Sequence, residues 1–296
     1  QGNYDICSWD KIILGFDYLR EAGESRWDSL WGLSLSPKEL SNTKGYYIEN
    51  ILTPMDNLFF SASFRLEDHS RYKSHNTFSV SGSYLFKETG TKIKASFGEG
   101  FKAPSLYQLF DGNFGNPDLN PEESESYEVG FEQSLGRNLK LGSTYFHTHI
   151  KNLIEWLPAG YDNTGKSRIY GIEVFSRYSF TPETAFKIAY THMDTEKLSD
   201  KSRLLRRPDN KLTATLTAEL NKVKLNLDIS YVGNRMDTAA TKLKSYLLAD
   251  FSLNYKLSEK IEAFLRLENL LDRDYELVNG YQTPEFSAYL GTKIKF

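Results

Sequence analysis

Lys211-Leu212-Thr213-Ala214-Thr215-Leu216-Thr217-Ala218-Glu219-Leu220-Asn221-Lys222-Val223-Lys224-Leu225-Asn226-Leu227-Asp228-Ile229-Ser230-Tyr231 decides the fold. Leu212, Ala214, Leu216, Ala218 and Leu220 alternate with Lys211, Thr213, Thr215, Thr217 and Glu219. Past Asn221, Val223, Leu225, Leu227, Ile229 and Tyr231 alternate with Lys224, Asn226, Asp228 and Ser230. A period of two places one chemistry on each face of a pleated strand. A link as short as this joins two such strands as an antiparallel pair.

The pattern extends in both directions. Leu247, Ala249, Phe251, Leu253, Tyr255 and Leu257 face Asp250, Ser252, Asn254 and Lys256, as Phe78, Val80, Gly82, Tyr84 and Phe86 face Ser79, Ser81 and Ser83. The last stretch, 286–296, alternates to an aromatic terminus at Phe296. No segment of comparable length carries a helical period, so the chain reads as all-β. About fourteen strands are expected, near 10–20, 44–54, 58–67, 75–86, 91–99, 123–135, 138–156, 168–179, 184–192, 210–220, 222–231, 246–257, 260–268 and 286–296.

Their connections sort by length. Short links fall at 54–57, 87–90, 136–137, 181–183, 221 and 258–259, whereas 21–43, 100–122, 157–167, 193–209, 232–245 and 269–285 are long. An edge strand of a soluble sandwich alternates as well as a barrel strand does. Tight turns on one side and extended loops on the other are the mark of an antiparallel transmembrane β-barrel. On that reading the chain begins and ends at the short-turn side, apolar positions face lipid, and Tyr and Phe near strand ends form interfacial girdles.

Composition agrees. Tyr and Phe number 19 each, yet mean hydropathy is −0.51 and no apolar run is long enough for a membrane helix. A barrel strand meets lipid only at alternate residues. A net charge of −3 gives no reason to expect nucleic acid, and the lone Cys7 leaves no intramolecular disulfide. The chain opens on Gln1 without a basic segment and apolar run of a signal peptide; an exported protein has lost it, so this decides nothing.

The stretch 97–122 resembles the TonB-dependent outer-membrane receptors. It carries a phenylalanine-basic-alanine-proline box, Phe101-Lys102-Ala103-Pro104, and an asparagine-proline-x-leucine box, Asn116-Pro117-Asp118-Leu119, followed by Pro121 and Glu122. Further landmarks come in family order: Gly171 and Glu173 after Asn163-Thr164-Gly165, Arg206 and Arg207 before Pro208, and Asn269 through Tyr275 before Gly280-Tyr281-Gln282-Thr283-Pro284. The resemblance covers nearly the whole chain. It implies the C-terminal portion, 1–296, of a twenty-two-stranded barrel whose plug domain and first strands are not in this chain. It implies active transport of a scarce nutrient across the outer membrane of a Gram-negative-type bacterium. The TonB-ExbB-ExbD system would act through a missing N-terminal segment, and the barrel assembly machinery would read Phe296. The similarity is nearest to receptors for vitamin B12 and for ferric siderophores. Haem receptors carry a ligand histidine between the two boxes, and 105–115 has none.

Several residues are candidates for ligand contact. Tyr107, Phe110, Asp111, Phe114, Trp156, Tyr161 and Tyr281 lie in loops or at outer strand ends, where aromatic walls suit a large planar or hydrophobic ligand. The same aromatics also belong to interfacial girdles. Asp111, Asp118 and Asp162 are loop carboxylates suited to Ca²⁺, or simply solvated acids. His147 and His149 share a strand face as a metal pair would, although no further ligand accompanies them, and a girdle or lumen-wall role is expected. No covalent cofactor and no nucleophile–His–acid set is recognisable, so no enzyme is expected. A passive pore and a surface for adhesion or phage docking are the other readings.

Overall fold

The computed structural model of the chain describes all residues except 30, 31, 37, 158, 239 and 296, and only the backbone at 27–29 and 32–34. Phe296, with the assembly signal expected there, lies outside the described residues.

Fifteen strands form one antiparallel sheet in chain order. They are β1 (Gly2–Cys7), β2 (Asp10–Gly23), β3 (Glu39–Met55), β4 (Leu58–His69), β5 (Lys73–Phe86), β6 (Thr91–Lys102), β7 (Glu122–Leu135) and β8 (Leu139–Lys151). Then come β9 (Ser167–Ser179), β10 (Thr184–Lys197), β11 (Asn210–Leu220), β12 (Val223–Val232), β13 (Tyr246–Lys256), β14 (Ile261–Glu268) and β15 (Ser287–Ile294). The order begins at β1 and ends at β15, and no ladder joins those two edges among the described residues.

Register explains the alternation. Ala95, Val129, Tyr145 and Ile172 pair across four strands in one row, and the last three are 55%, 43% and 42% exposed. On the opposite face, Ser83, Lys94, Gly130, Thr144, Glu173, Thr191 and Lys211 pair across seven. There Glu132 takes both Lys94, at 3.6 Å, and Lys140, at 2.5 Å. Ser63 meets Ser79 at 2.7 Å, and Thr215 donates to Asp228 at 2.7 Å. An exposed apolar face backed by a hydrogen-bonded polar one is stable only where the solvent outside is lipid and the space inside is wet.

Three details depart from the sequence reading. An additional strand, β1, pairs with the start of β2 and runs toward the short-turn side; its residues Asn3, Tyr4 and Asp5 lack clean alternation, which hid it. The stretch read as one strand over 138–156 breaks at Asn152, whose φ of 55° leaves the sheet, and reforms as a separate hairpin, Ile154–Leu157 with Gly160–Asn163. One helical turn, α1 (Leu106–Phe110), interrupts the all-β pattern.

The apolar residues most hidden from solvent are largely outside the sheet. Leu109 and Leu119 are 2% exposed, and Leu204 and Leu243 are also buried. The long loops therefore have a core of their own.

Candidate ligand-capture site at the long-loop end

The site grows from the end of β6. Phe101 stacks on His75 with centroids 3.9 Å apart, and Pro104 is buried just beyond it. Pro104 removes a backbone donor and sets an extended entry to the helix. Ser105 then caps α1: its hydroxyl accepts from Gln108 N at 3.2 Å, while Gln108 Oε1 accepts from Ser105 N at 2.9 Å. This reciprocal box satisfies two otherwise orphaned donors and turns Leu109 inward.

Asp111 ends the helix and organises the turn after it. Its Oδ1 accepts from Asn113 N (3.1 Å) and Phe114 N (3.0 Å), and its Oδ2 accepts from Ser25 Oγ at 2.9 Å. At 5% exposure this carboxylate serves the loop. The chain closes so tightly there that a Cβ on Gly115 would stand 2.5 Å from Asp111 N.

Segment 103–121 is then tied down on two sides. The hairpin 154–163 holds one: Tyr161 N donates to Phe114 O (2.9 Å), Asn116 Nδ2 to Tyr161 O (3.1 Å), and Asn120 N to Asn163 Oδ1 (2.8 Å). Asn163 Nδ2 donates in return to Asn120 O and Asn152 O. The turn after β4 holds the other. Arg71 donates to Pro117 O at 2.6 Å with its guanidinium 5.1 Å from the Phe110 ring centroid, and Tyr72 OH donates to Leu119 O at 2.9 Å. Burial pushes the Tyr72 phenol up, which keeps that donor protonated. Pro121 O accepts from Asn152 Nδ2 at 3.2 Å, and Glu122 accepts from both Lys102 Nζ (2.6 Å) and Ile154 N (2.9 Å) as β7 begins.

This bracing brings six of the seven aromatic and acidic candidates into one cluster. Tyr107 meets Tyr161 edge-on at 6.1 Å, and Phe114 meets Trp156 at 5.9 Å. Tyr107 and Trp156 keep 42% and 54% of their surface exposed on this hydrogen-bonded frame. Tyr281 lies in a different loop, 71% exposed. Asp111, Asp118 and Asp162 are not assembled into a metal site; among the described residues no group of three or more His, Cys, Asp or Glu is placed to hold an ion.

The remaining landmarks sit in the wall and its loops. A Cβ on Gly171 would overlap the carbonyl oxygen of His192, and Glu173 accepts from Thr191 at 3.5 Å. Arg206, with φ 59°, pairs with the buried Asp237 at 2.6 Å, whereas among the described residues Arg207 makes only a 3.4 Å bond to Leu205 O. Asn269 knots the last loop, and the Tyr275 ring packs on Tyr246 at 4.6 Å. His147 meets Tyr127 OH at 2.8 Å and lies 4.4 Å from His149, ring to ring, in the row next to the exposed Tyr145. His147 also lies against the Tyr170 ring, so the pair belongs to a cluster of rings on the strand face.

Sequence reading missed Arg71, Tyr72 and Ser25, which act on the loop from distant positions, and read Asn163 only as part of a landmark. The Ser105-x-x-Gln108 spacing is the one local signal that could have marked the helical turn, and it was not read. Arg71→Ala is expected to weaken the brace by about 1 kcal/mol, seen as roughly fivefold faster hydrogen exchange at 118–120. Unchanged exchange there would show that Arg71 is idle.

On the polar face near the short-turn end, a recess of about 870 Å³ is lined by Phe59, Ser83, Lys94, Ser96, Glu128 and Thr144 among others.

A family model described as TonB dependent receptor-like, beta-barrel, matches residues 1–270. The vitamin B12 transporter BtuB of Vibrio cholerae serotype O1 is 32% identical over 271 residues, covering 86% of this chain and 43% of that protein. BtuB of Vibrio vulnificus is 29% identical over 279 residues, 91% of this chain and 44% of its own. The chain thus spans less than half the length of these relatives. Among solved structures, the copper transporter OprC superposes with a TM-score of 0.80 at 14% identity, over 98% of this chain and 55% of that one. The siderophore receptor PirA of Pseudomonas aeruginosa gives 0.74 at 21%, over 98% and 52%. These superpositions show the fold.

Proposed function

The chain belongs to the TonB-dependent receptor-like β-barrel family, and from that membership we propose that it is the C-terminal part of the wall and loops of an outer-membrane active-transport receptor. The ligand would be a scarce, bulky nutrient, cobalamin first and a ferric siderophore second. The braced cluster of rings carries this reading: the exposed Tyr107 and Trp156, with the half-buried Phe114 against Trp156, stand on a frame tied down by hydrogen bonds from two sides. Preordered aromatic surface binds a large, partly apolar molecule with little entropic loss. The similarity to the vitamin B12 transporters ranks cobalamin ahead.

In this reading the edges β1 and β15 are completed by further strands, because an unpaired ladder has no place in hydrocarbon. The polar face, with its recess beside Lys94 and Glu128, would seat a plug, and the TonB-ExbB-ExbD system would supply the energy through that plug. Outer-membrane lipid would cover the apolar rows, and the barrel assembly machinery would insert them. Loop Ca²⁺ has no assembled site among the described residues to support it.

Uptake decides the matter. Cells expressing the full-length protein are expected to accumulate labelled cyanocobalamin only when TonB is intact. Equal uptake without TonB would sink the active-transport reading, and uptake of a ferric siderophore alone would move the ligand to the second choice.

A further inference from the structure

Between the loops 198–209 and 233–245 lies a cavity of about 230 Å³ lined by Arg203, Arg207, Asp209, Asn210, Asn234, Arg235 and Lys242 among others. Its charges do not balance. Asp209 is taken by Arg203, which also reaches Asp194 at 2.9 Å. The neighbouring Arg206 turns to Asp237. Arg207, Arg235 and Lys242 then have no carboxylate within ion-pair distance among the described residues.

Arg235 is the informative one. It is only 6% exposed, and its guanidinium lies 5.3 Å from the Tyr246 ring centroid. Nη2 donates to the carbonyl of Glu276, while Nη1 is buried with no hydrogen-bond partner among the described residues. A guanidinium cannot shed its charge as a buried lysine can, so a buried and uncompensated arginine is costly unless an anion joins it. Neutral donors stand by as well. The side-chain oxygens of Asn210 and Asn234 are occupied, by Tyr190 OH and His192 Nδ1 and by Ser245 N respectively, which leaves each amide NH₂ without a bond among the described residues. Cations in surplus and spare donors around a space of a few water volumes are complementary to a compact oxyanion.

We propose that this cavity binds a phosphate-class anion, held by Arg207, Arg235 and Lys242. The group is either soluble phosphate or the headgroup of a membrane lipid, since both present the same oxygens at the loop end of the wall. Such binding depends on this geometry alone and stands whether or not the ligand of the receptor is cobalamin.

The test uses the full-length protein in detergent. At constant ionic strength, inorganic phosphate is compared with chloride by calorimetric titration, and phosphatidic acid with phosphatidylcholine in mixed micelles by native mass spectrometry. Phosphate binding that R207Q/K242Q weakens at least tenfold supports the proposal with a soluble source. Retention of phosphatidic acid over phosphatidylcholine, lost in the same variant, supports it with a lipid source. These two residues are exposed, so the double variant is expected to fold. Arg235→Met serves as the second variant: it removes the buried charge and is expected to fold while losing the same binding. No preference for phosphate over chloride and none for phosphatidic acid would overturn the proposal, as would binding unaffected by all three substitutions.

Discussion

Gly171→Val is expected to prevent the wall from closing up at β9, with a loss of at least about 4 kcal/mol. Gly171 pairs with Phe146 on β8 and Met193 on β10. A Cβ there would overlap the His192 carbonyl oxygen and come within 2.7 Å of the Phe146 ring and 3.0 Å of Met193 Cα. The ring can rotate away, but two of the three obstacles involve backbone in the ladder itself. Overpacking that side chains can absorb costs less, typically about 1–3 kcal/mol; backbone obstacles leave only a broken or shifted ladder. The same reasoning makes Gly171→Ala nearly as harmful, because the first added carbon is the offending one. Gly98 supplies the control. A Cβ there would meet only Ser79 Cβ, at 3.6 Å, so Gly98→Ala is expected within about 0.5 kcal/mol of the parent. Refolded fraction and urea midpoint, read by heat-modifiable gel mobility, check all three. A Gly171→Ala protein that refolds like the parent would refute the account.

How much of this is legible in the sequence depends on the length scale of the signal. Strand alternation is local and survives almost intact, since Leu212 to Leu220 and Val223 to Tyr231 pair in the register their alternation implies. The loop end is legible only as residue types. Asn116, Pro117 and Leu119 are readable as a motif, yet what they do depends on Tyr161, Arg71 and Tyr72, more than forty residues away in each case. Asp111 looks like a ligand-facing acid because a loop aspartate is ordinarily solvated; its structural partners include two backbone donors and Ser25, none of them visible locally. Arg235 carries no local signal, because burial of a charged group cannot be seen in a sequence whose loops carry charges everywhere.

Asn269→Ala is expected to cost about 3 kcal/mol and to loosen the chain from 270 to the start of β15. Asn269 follows β14 directly and is 4% exposed. Its backbone N–H donates to Asp250 Oδ1 at 2.8 Å, and its side chain bridges both ends of the last loop. Oδ1 accepts from Arg273 N (2.8 Å), while Nδ2 donates to Arg273 O (2.9 Å) and Pro284 O (3.3 Å). Truncation leaves those backbone groups in a place water reaches poorly, at roughly 1–3 kcal/mol for each that stays unpaired. The φ of 50° adds a conformational cost for alanine that asparagine tolerates better. Asn269→Gly separates the two contributions: it keeps the backbone geometry and loses the bonds, so it is expected to fall between parent and alanine variant. The damage should travel to β15, which pairs only with β14 among the described residues and receives the loop through Phe286 N on Asp272 Oδ1 at 2.9 Å. Limited proteolysis reads this as new cleavage within 270–285, with faster exchange along Ser287–Ile294. Cleavage unchanged in the alanine variant would mean that the loop is held by Thr283 on Tyr275 O, at 2.6 Å, and by the 276–282 bridge instead.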